Sequence, residues 1–449
     1  MKTYSQEIKS TISLAVPLVI GQLGHMSMSV VDNLMVGNLG AVPLAAASVA
    51  NSFFMLITIV GLGISMAITP LTAMYYGSQK FSECGVVLRQ GLLVNMTVGI
   101  ILCVVSILSA KLIGYFNQPK EIVQPAIIYM QTLGLSMLPI MLFQTYRQFA
   151  EGISIMRPAM IITIVANIVN IIVNWMFIYG NFGAPALGLT GAGVATFLSR
   201  MFMAVAMVYI VVCSTKMKKY DPTFRFKSFN LPMMKKLLRI GIPTGVQYFF
   251  EVSAFAGSVV IVGWFGTNAL AAHQIALNLA SVTYMVALGI SSAATVRVAN
   301  AAGNNNNIFG TRQAGFSAVI LVAFVMGCFS VLFIALRHFL PTLYISEKEI
   351  INLAASLLVI VALFQVSDGV QTICLGALRG IADVKIPTLI TFLAYWVIGL
   401  PVGYILGFKY QLGVTGIWIG LLIGLTASAT MVMLRFNKRS KKAVHIIDS

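Results

Sequence analysis

The sequence is short of charge. Only 9% of its 449 residues are charged while 59% are hydrophobic, and the mean hydropathy is +0.92. A soluble domain carries about 25% charged residues, so this chain cannot cover a water-facing surface. Acid is scarcer still, with 12 Asp and Glu against 29 Lys and Arg and a formal net charge of +17. In a soluble protein that excess would point to nucleic acid. No basic-aromatic RNA motif and no zinc-finger spacing occurs, so no nucleic-acid partner is expected. Basic residues gathered in cytoplasmic loops account for the charge instead. The five cysteines (Cys84, Cys103, Cys213, Cys328 and Cys374) show no metal or disulfide spacing and read as packing residues. An HExxH zinc motif is absent, and nothing resembles a repeated selectivity filter. The regular alternation of a membrane β-barrel is also missing. No cleavable signal is expected, because the first apolar run is too long and holds Gln22, His25 and Asp32.

What is present is a series of apolar runs, each near the roughly 20 residues needed to cross a hydrocarbon core. They predict an all-α integral membrane protein of about twelve transmembrane helices. The expected spans are 12–36, 45–73, 91–112, 126–149, 158–179 and 189–213, then 239–265, 271–297, 315–338, 351–377, 387–407 and 413–435. The most charged stretch lies between the sixth and seventh. The chain therefore divides into an N-lobe (1–213), a cytoplasmic linker (214–238) and a C-lobe (239–449). Basic residues crowd one set of loops, at Lys80, Arg89, Arg157, the linker, Arg297, Arg312, Arg379 and Lys385. Lys2, Lys9 and RFNKRSKK put both termini on that side, which the positive-inside rule makes cytoplasmic.

The halves repeat. With Pro17 set on Pro243, a gap-free shift pairs Gly37-Asn-Leu-Gly40 with Gly263-Trp-Phe-Gly266. It also pairs Leu44-Ala-Ala with Leu270-Ala-Ala, and Gly63-Ile-Ser with Gly289-Ile-Ser. After small slips, Lys120-Glu-Ile meets Lys348-Glu-Ile and GLTG at Gly188 meets GVTG at Gly413. Each half holds an even number of helices, so the copies run parallel. Two six-helix lobes related by a pseudo-two-fold axis along the membrane normal are expected, as in two-lobed transporters.

Three acids lie well inside apolar runs: Asp32, Glu251 and Asp368. An ionised carboxylate there costs roughly 2.5–3.5 kcal/mol on insertion scales, and such residues mark ion or proton pathways. Gln22, His25, Ser29 and Asp32 share one helical face. So do Gln247, Glu251 and Ser258, and again Phe364, Asp368 and Gln371. Asn170 and Asn174 stand four residues apart, and Thr196 lies on the next span. A carboxylate, two amide oxygens and a hydroxyl suit Na⁺ as hard ligands. The same groups suit a proton relay around Asp32, or plain helix–helix adhesion. Glu251 and Asp368, if close, repel unless a cation or proton sits between them. The candidates are thus an N-lobe cation or proton site at Asp32, Asn170, Asn174 and Thr196 and a C-lobe site at Glu251 and Asp368. Na⁺ is a candidate ion at either. Gln22, His25, Gln247, His273, Phe364 and Gln371 are candidate cavity-lining residues.

VDNLMVG around Asp32, YFFE ending at Glu251, LAAHQIALN from Leu270, Asp368 ahead of CLGALRG, ANIVNIIVN and GLTGAGVAT together resemble the multidrug and toxic compound extrusion (MATE) family, NorM branch. The resemblance covers nearly the whole chain. It implies a twelve-helix, two-lobed antiporter, not an enzyme. Such a protein exports small organic, often cationic and aromatic compounds in exchange for Na⁺ or H⁺, with no cofactor beyond that ion. Carried over by motif, the six residues of the two sites bind the cation or proton. Two departures stand out: Phe364 replaces a Tyr found in some relatives, and His25 replaces an uncharged polar residue. The expected setting is a multi-pass bacterial inner membrane, in contact with its lipid, with the protein acting as a monomer. One alternative is a lipid-linked oligosaccharide flippase on a related scaffold, for which Arg147 and Arg200, read as lying toward helix ends, are the available cavity bases. The other is an intramembrane aspartyl protease, whose GxGD-type context is missing at Asp368 (SDGV).

Overall fold

The computed structural model describes residues 4–116, 119–215, 217–220, 229–304 and 307–442. Among them are twelve helices long and apolar enough to cross a membrane. They are α1 (Ser5–Gly37), α2 (Ala41–Gly77), α3 (Phe81–Tyr115), α4 (Lys120–Gly152), α5 (Arg157–Tyr179), α6 (Leu189–Cys213), α7 (Leu231–Gly263), α8 (Thr267–Gly303), α9 (Ile308–Ala335), α10 (Lys348–Gly380), α11 (Lys385–Lys409) and α12 (Gly413–Arg439). All twelve expected spans are found. Even the shortest, α5 with 23 residues, covers roughly 35 Å at 1.5 Å per residue, enough for a hydrocarbon core of about 30 Å. Of the expected linker, residues 216 and 221–228 lie outside the described residues, as does Lys2.

Two compact units are formed, one by residues 20–245 and the other by residues 1–19 with 246–449. The internal repeat reappears as backbone geometry. Gly40 (φ +113°) and Gly266 (φ +102°) are paired by the repeat, and each opens the second helix of its half. Gly188 and Gly413, the heads of GLTG and GVTG, both have φ +56°. These left-handed positions suit glycine, which has no Cβ to clash. Ser154 (φ 66°) and Ala382 (φ 54°) follow α4 and α10 in the same relation. A Cβ on Gly63 would lie 2.5 Å from the Gly245 Cα, and one on Gly289 2.5 Å from a Val19 methyl. The gap-free shift carries one contact onto the other, and each lies inside one unit.

The halves also differ. In the first, α2 is interrupted between Ser65 and Ile68 and α4 at Ser136, whereas their counterparts α8 and α10 run unbroken. In the second, α11 is wound as π-helix over Leu393–Gly399 and Ile405–Lys409. That winding accompanies a close glycine seam. Gly416, Gly420 and Gly424, one turn apart on α12, press against the α11 backbone; a Cβ on Gly420 would meet the Gly403 nitrogen at 2.2 Å. Lipid is as apolar as leucine, so helices in a bilayer associate through close packing, and small residues at four-residue spacing permit it.

Ion pairs hold the unit of residues 1–19 and 246–449 near its helix ends. The Arg297 guanidinium pairs with the Glu7 carboxylate and donates to the Glu7 carbonyl at 2.6 Å. Asp383 accepts from Arg435 at 2.9 Å and from Arg439 at 3.1 Å. Replacing Gly420 by Val should overpack the α11–α12 seam and destabilise the protein by about 1–3 kcal/mol or more. Gly327→Ala, where an added Cβ meets nothing within 4 Å, should not. Thermal unfolding of the purified variants in detergent checks the contrast.

Candidate cation and proton sites

In the unit of residues 20–245, α1, α5 and α6 bring one cluster together. The Asp32 Oδ1 accepts from the Asn174 Nδ2 at 2.5 Å, and that same amide nitrogen donates to the Asn170 Oδ1 at 3.1 Å. The Thr196 hydroxyl lies 3.0 Å from the Ala192 carbonyl and 3.4 Å from the Asp32 Oδ2. Asn170, Asn174 and Thr196 are buried and Asp32 is half-buried. The four N-lobe residues named from sequence therefore form one constellation. Its carboxylate is held by neutral donors. Among the described residues one buried atom in it is without a partner, the Asn174 Oδ1. Leaving a buried polar atom unpaired costs about 1–3 kcal/mol, so the cluster is incomplete as it stands. An unpaired acceptor beside a carboxylate, with further amide and hydroxyl oxygens at hand, fits a small hard cation or a proton. Among the described residues no group of three or more His, Cys, Asp or Glu could hold a transition metal.

His25 belongs to a different network. Its Nε2 lies 3.2 Å from the Arg147 Nη1, and the Arg147 Nε donates to the Glu151 Oε1 at 2.6 Å. Arginine only donates, so the His25 Nε2 accepts and carries no proton in this arrangement. Arg147 and Glu151 are both buried and sit one turn apart on α4. Sequence reading passed over this pair, although the four-residue spacing was there to be seen. Gln22 is half-buried on α1, on the face it shares with His25 and Asp32.

The second unit holds a second cluster. The Glu251 carboxylate on α7 accepts from the Tyr284 hydroxyl, and it lies within electrostatic reach of Asp368 on α10 and of Arg379. All three of Glu251, Asp368 and Arg379 are buried. Arg379 donates to the Tyr248 hydroxyl at 3.3 Å. Gln371 donates to the Tyr395 hydroxyl at 3.1 Å, and Tyr395 lies within electrostatic reach of both acids. Three tyrosines, Tyr248, Tyr284 and Tyr395, thus escaped the sequence reading, because each comes from a helix other than that of its partner, and Arg379, expected in a loop, is instead buried in the last turn of α10. Tyr284 and Tyr395 supply the phenolic oxygens that Phe364 does not. Phe364 and His273 lie elsewhere, their rings tilted against Trp418 with centroids 5.9 and 5.4 Å away. His273 is fully buried there, and neither ring nitrogen has a hydrogen-bond partner. Gln247 is buried on α7, one turn before Glu251. A groove of about 350 Å³ lined by Phe316, Val366, Ser367, Thr426 and Asn437 contains none of the predicted site residues.

Twelve membrane-length helices carrying two clusters of acids, amides and hydroxyls define a polytopic membrane protein built to handle charge. The chain belongs to the MatE family, whose model matches residues 17–176 and 243–405. It is 33% identical to the multidrug resistance protein NorM of Vibrio vulnificus over 97% of this chain and 96% of that one. To the multidrug resistance protein MdtK of Yersinia pseudotuberculosis it is 35% identical over 100% and 99%. Its fold matches the crystal structure of the eukaryotic MATE transporter AtDTX14 with a TM-score of 0.88 and 21% identity, over 98% of this chain and 99% of that one. The two six-helix lobes expected from the repeat are the architecture of this fold.

The buried Arg147–Glu151 pair yields a stability test. Glu151→Ala strands a buried guanidinium and should cost about 3–5 kcal/mol. Replacing both residues by Met should recover most of that loss, as read by thermal unfolding in detergent.

Proposed function

We propose that the chain is a secondary active multidrug exporter, exchanging organic compounds for Na⁺ or H⁺ by alternating access. Family membership and the names of its relatives support export of many drugs. The observation that carries the exchange reading is the Asp32 cluster, a membrane carboxylate held, among the described residues, by neutral hydrogen-bond donors and flanked by the unpaired Asn174 oxygen. A carboxylate locked to an arginine has one stable state. One held by amides and a hydroxyl can take up a proton, a sodium ion or a cationic substrate in turn.

Occupancy drives transport only if the ion favours one arrangement of the protein over another. A potential of 100 mV supplies about 2.3 kcal/mol per elementary charge, about 50-fold in an equilibrium constant. Ionised Asp32 attracts a cationic, aromatic compound, and its neutralisation releases it. Glu251 and Asp368, lying close enough to repel, form the second place where a cation or proton is taken up. The protein works as a monomer in the bacterial inner membrane, with both termini cytoplasmic, as the basic loops require.

The flippase reading wants a cluster of free basic groups in the cavity; of the two bases named for it, Glu151 takes up Arg147, which leaves Arg200 by itself. The distribution of charge favours export.

Asp32→Asn should reduce ethidium efflux from loaded cells at least tenfold at equal expression. In proteoliposomes the same variant should lose its response to whichever imposed gradient, of Na⁺ or of pH, drives the wild type. Undiminished efflux by the variant would reject the role given to Asp32.

A further inference from the structure

Sequence reading placed Arg200 toward a helix end. It sits instead in the middle of α6, one turn after Thr196 and on the same face. Several other arginines are answered by a carboxylate: Arg147 by Glu151, Arg297 by Glu7, and Arg435 and Arg439 by Asp383. Arg200 is not. Among the described residues its hydrogen bond goes to a neutral group, the Ser136 hydroxyl, at 2.6 Å, and no carboxylate pairs with it. Its guanidinium carbon lies 5.5 Å from the centroid of the Phe54 ring. Ser136 and Phe54 are buried, and Arg200 is half-buried. The side chain therefore runs along a packed wall without being fully enclosed by it.

The wall is shaped for this. Ser136 is the residue at which α4 is interrupted. Its hydroxyl donates to the Leu133 carbonyl at 2.6 Å and so turns its lone pairs to Arg200. Arg200, Asp32 and the buried Tyr129 hydroxyl act on one another electrostatically. A guanidinium offers five donors in a planar fork that matches a carboxylate bidentately and stacks on aromatic faces. Here one donor is used, an aromatic face is in place, and a site for positive charge is one helical turn away.

We infer that Arg200, braced by Ser136 and Phe54, is the residue of this chain that anchors the carboxylate of an aromatic substrate. The carboxylate lies along the free edge of the guanidinium, and an amine on the same molecule faces Asp32. This rests on the export reading above and deepens it by naming a specificity-determining residue.

The test uses the full chain in proteoliposomes with two fluorescent probes: a cationic rhodamine bearing a free benzoate, and its methyl ester. The quantity read is the ratio of acid to ester transport. In the wild type both probes should move. Arg200→Gln should lower the ratio about tenfold. Arg200→Lys keeps the charge but loses the fork, so it should lower the ratio by an intermediate factor; it also serves if the Gln variant fails to fold. An unchanged ratio in the folded variants would overturn the proposal, as would a wild type that carries the ester and refuses the acid. Those results leave ethidium export and the role of Asp32 standing. A wild type that moves neither probe nor ethidium would overturn both readings.

Discussion

A carboxylate inside a bilayer must be answered by something, and the answer chosen for Asp32 shapes what surrounds it. The Asn174 amide, steadied by Asn170, and the Thr196 hydroxyl hold the acid without cancelling its charge. Elsewhere the same chain uses the opposite solution. Glu151, Glu7 and Asp383 are each tied to arginine, which suits parts that hold position. Neutral donors leave Asp32 free to change partners, and the cost is the unpaired Asn174 oxygen beside it.

The repeat explains how one chain carries two such sites of different chemistry. Both halves share the turns at Gly40 and Gly266 and at Gly188 and Gly413, so the scaffold is duplicated. The acids are not. Position 25 is His in the first half and its counterpart is Glu251 in the second; position 32 is Asp and its counterpart is Ser258. The breaks in α2 and α4 belong to the first half and the π-helical winding of α11 to the second. Helix interruptions in a membrane are tolerated where side chains re-satisfy the freed backbone groups. Ser136 does this at the break in α4, donating to the Leu133 carbonyl.

Much of the fold was legible in the sequence because its signals are local or periodic. Twelve apolar runs, the repeat and the acids at Asp32, Glu251 and Asp368 can all be read along one strand of text. The Asn170–Asn174 spacing likewise foretold a shared face, and Asp32 meets it. What stayed hidden depends on partners far apart in the chain. Arg200 finds Ser136 across 64 residues, and His25 finds Arg147 across 122. No periodicity reports such meetings. The interruption at Ser136 and the winding of α11 were hidden for the same reason, since each serves contacts with another helix.

The central claim is that Asp32 changes its occupant as substrate moves. Infrared difference spectroscopy on protein labelled with ¹³C-aspartate tests this most directly, comparing substrate-free and substrate-bound states in lipid. The account predicts a carboxyl band that shifts or changes from protonated to ionised when substrate is added, and that is missing in the Asp32→Asn variant. A spectrum in which the Asp32 band stays fixed while substrate binds and is transported would contradict it.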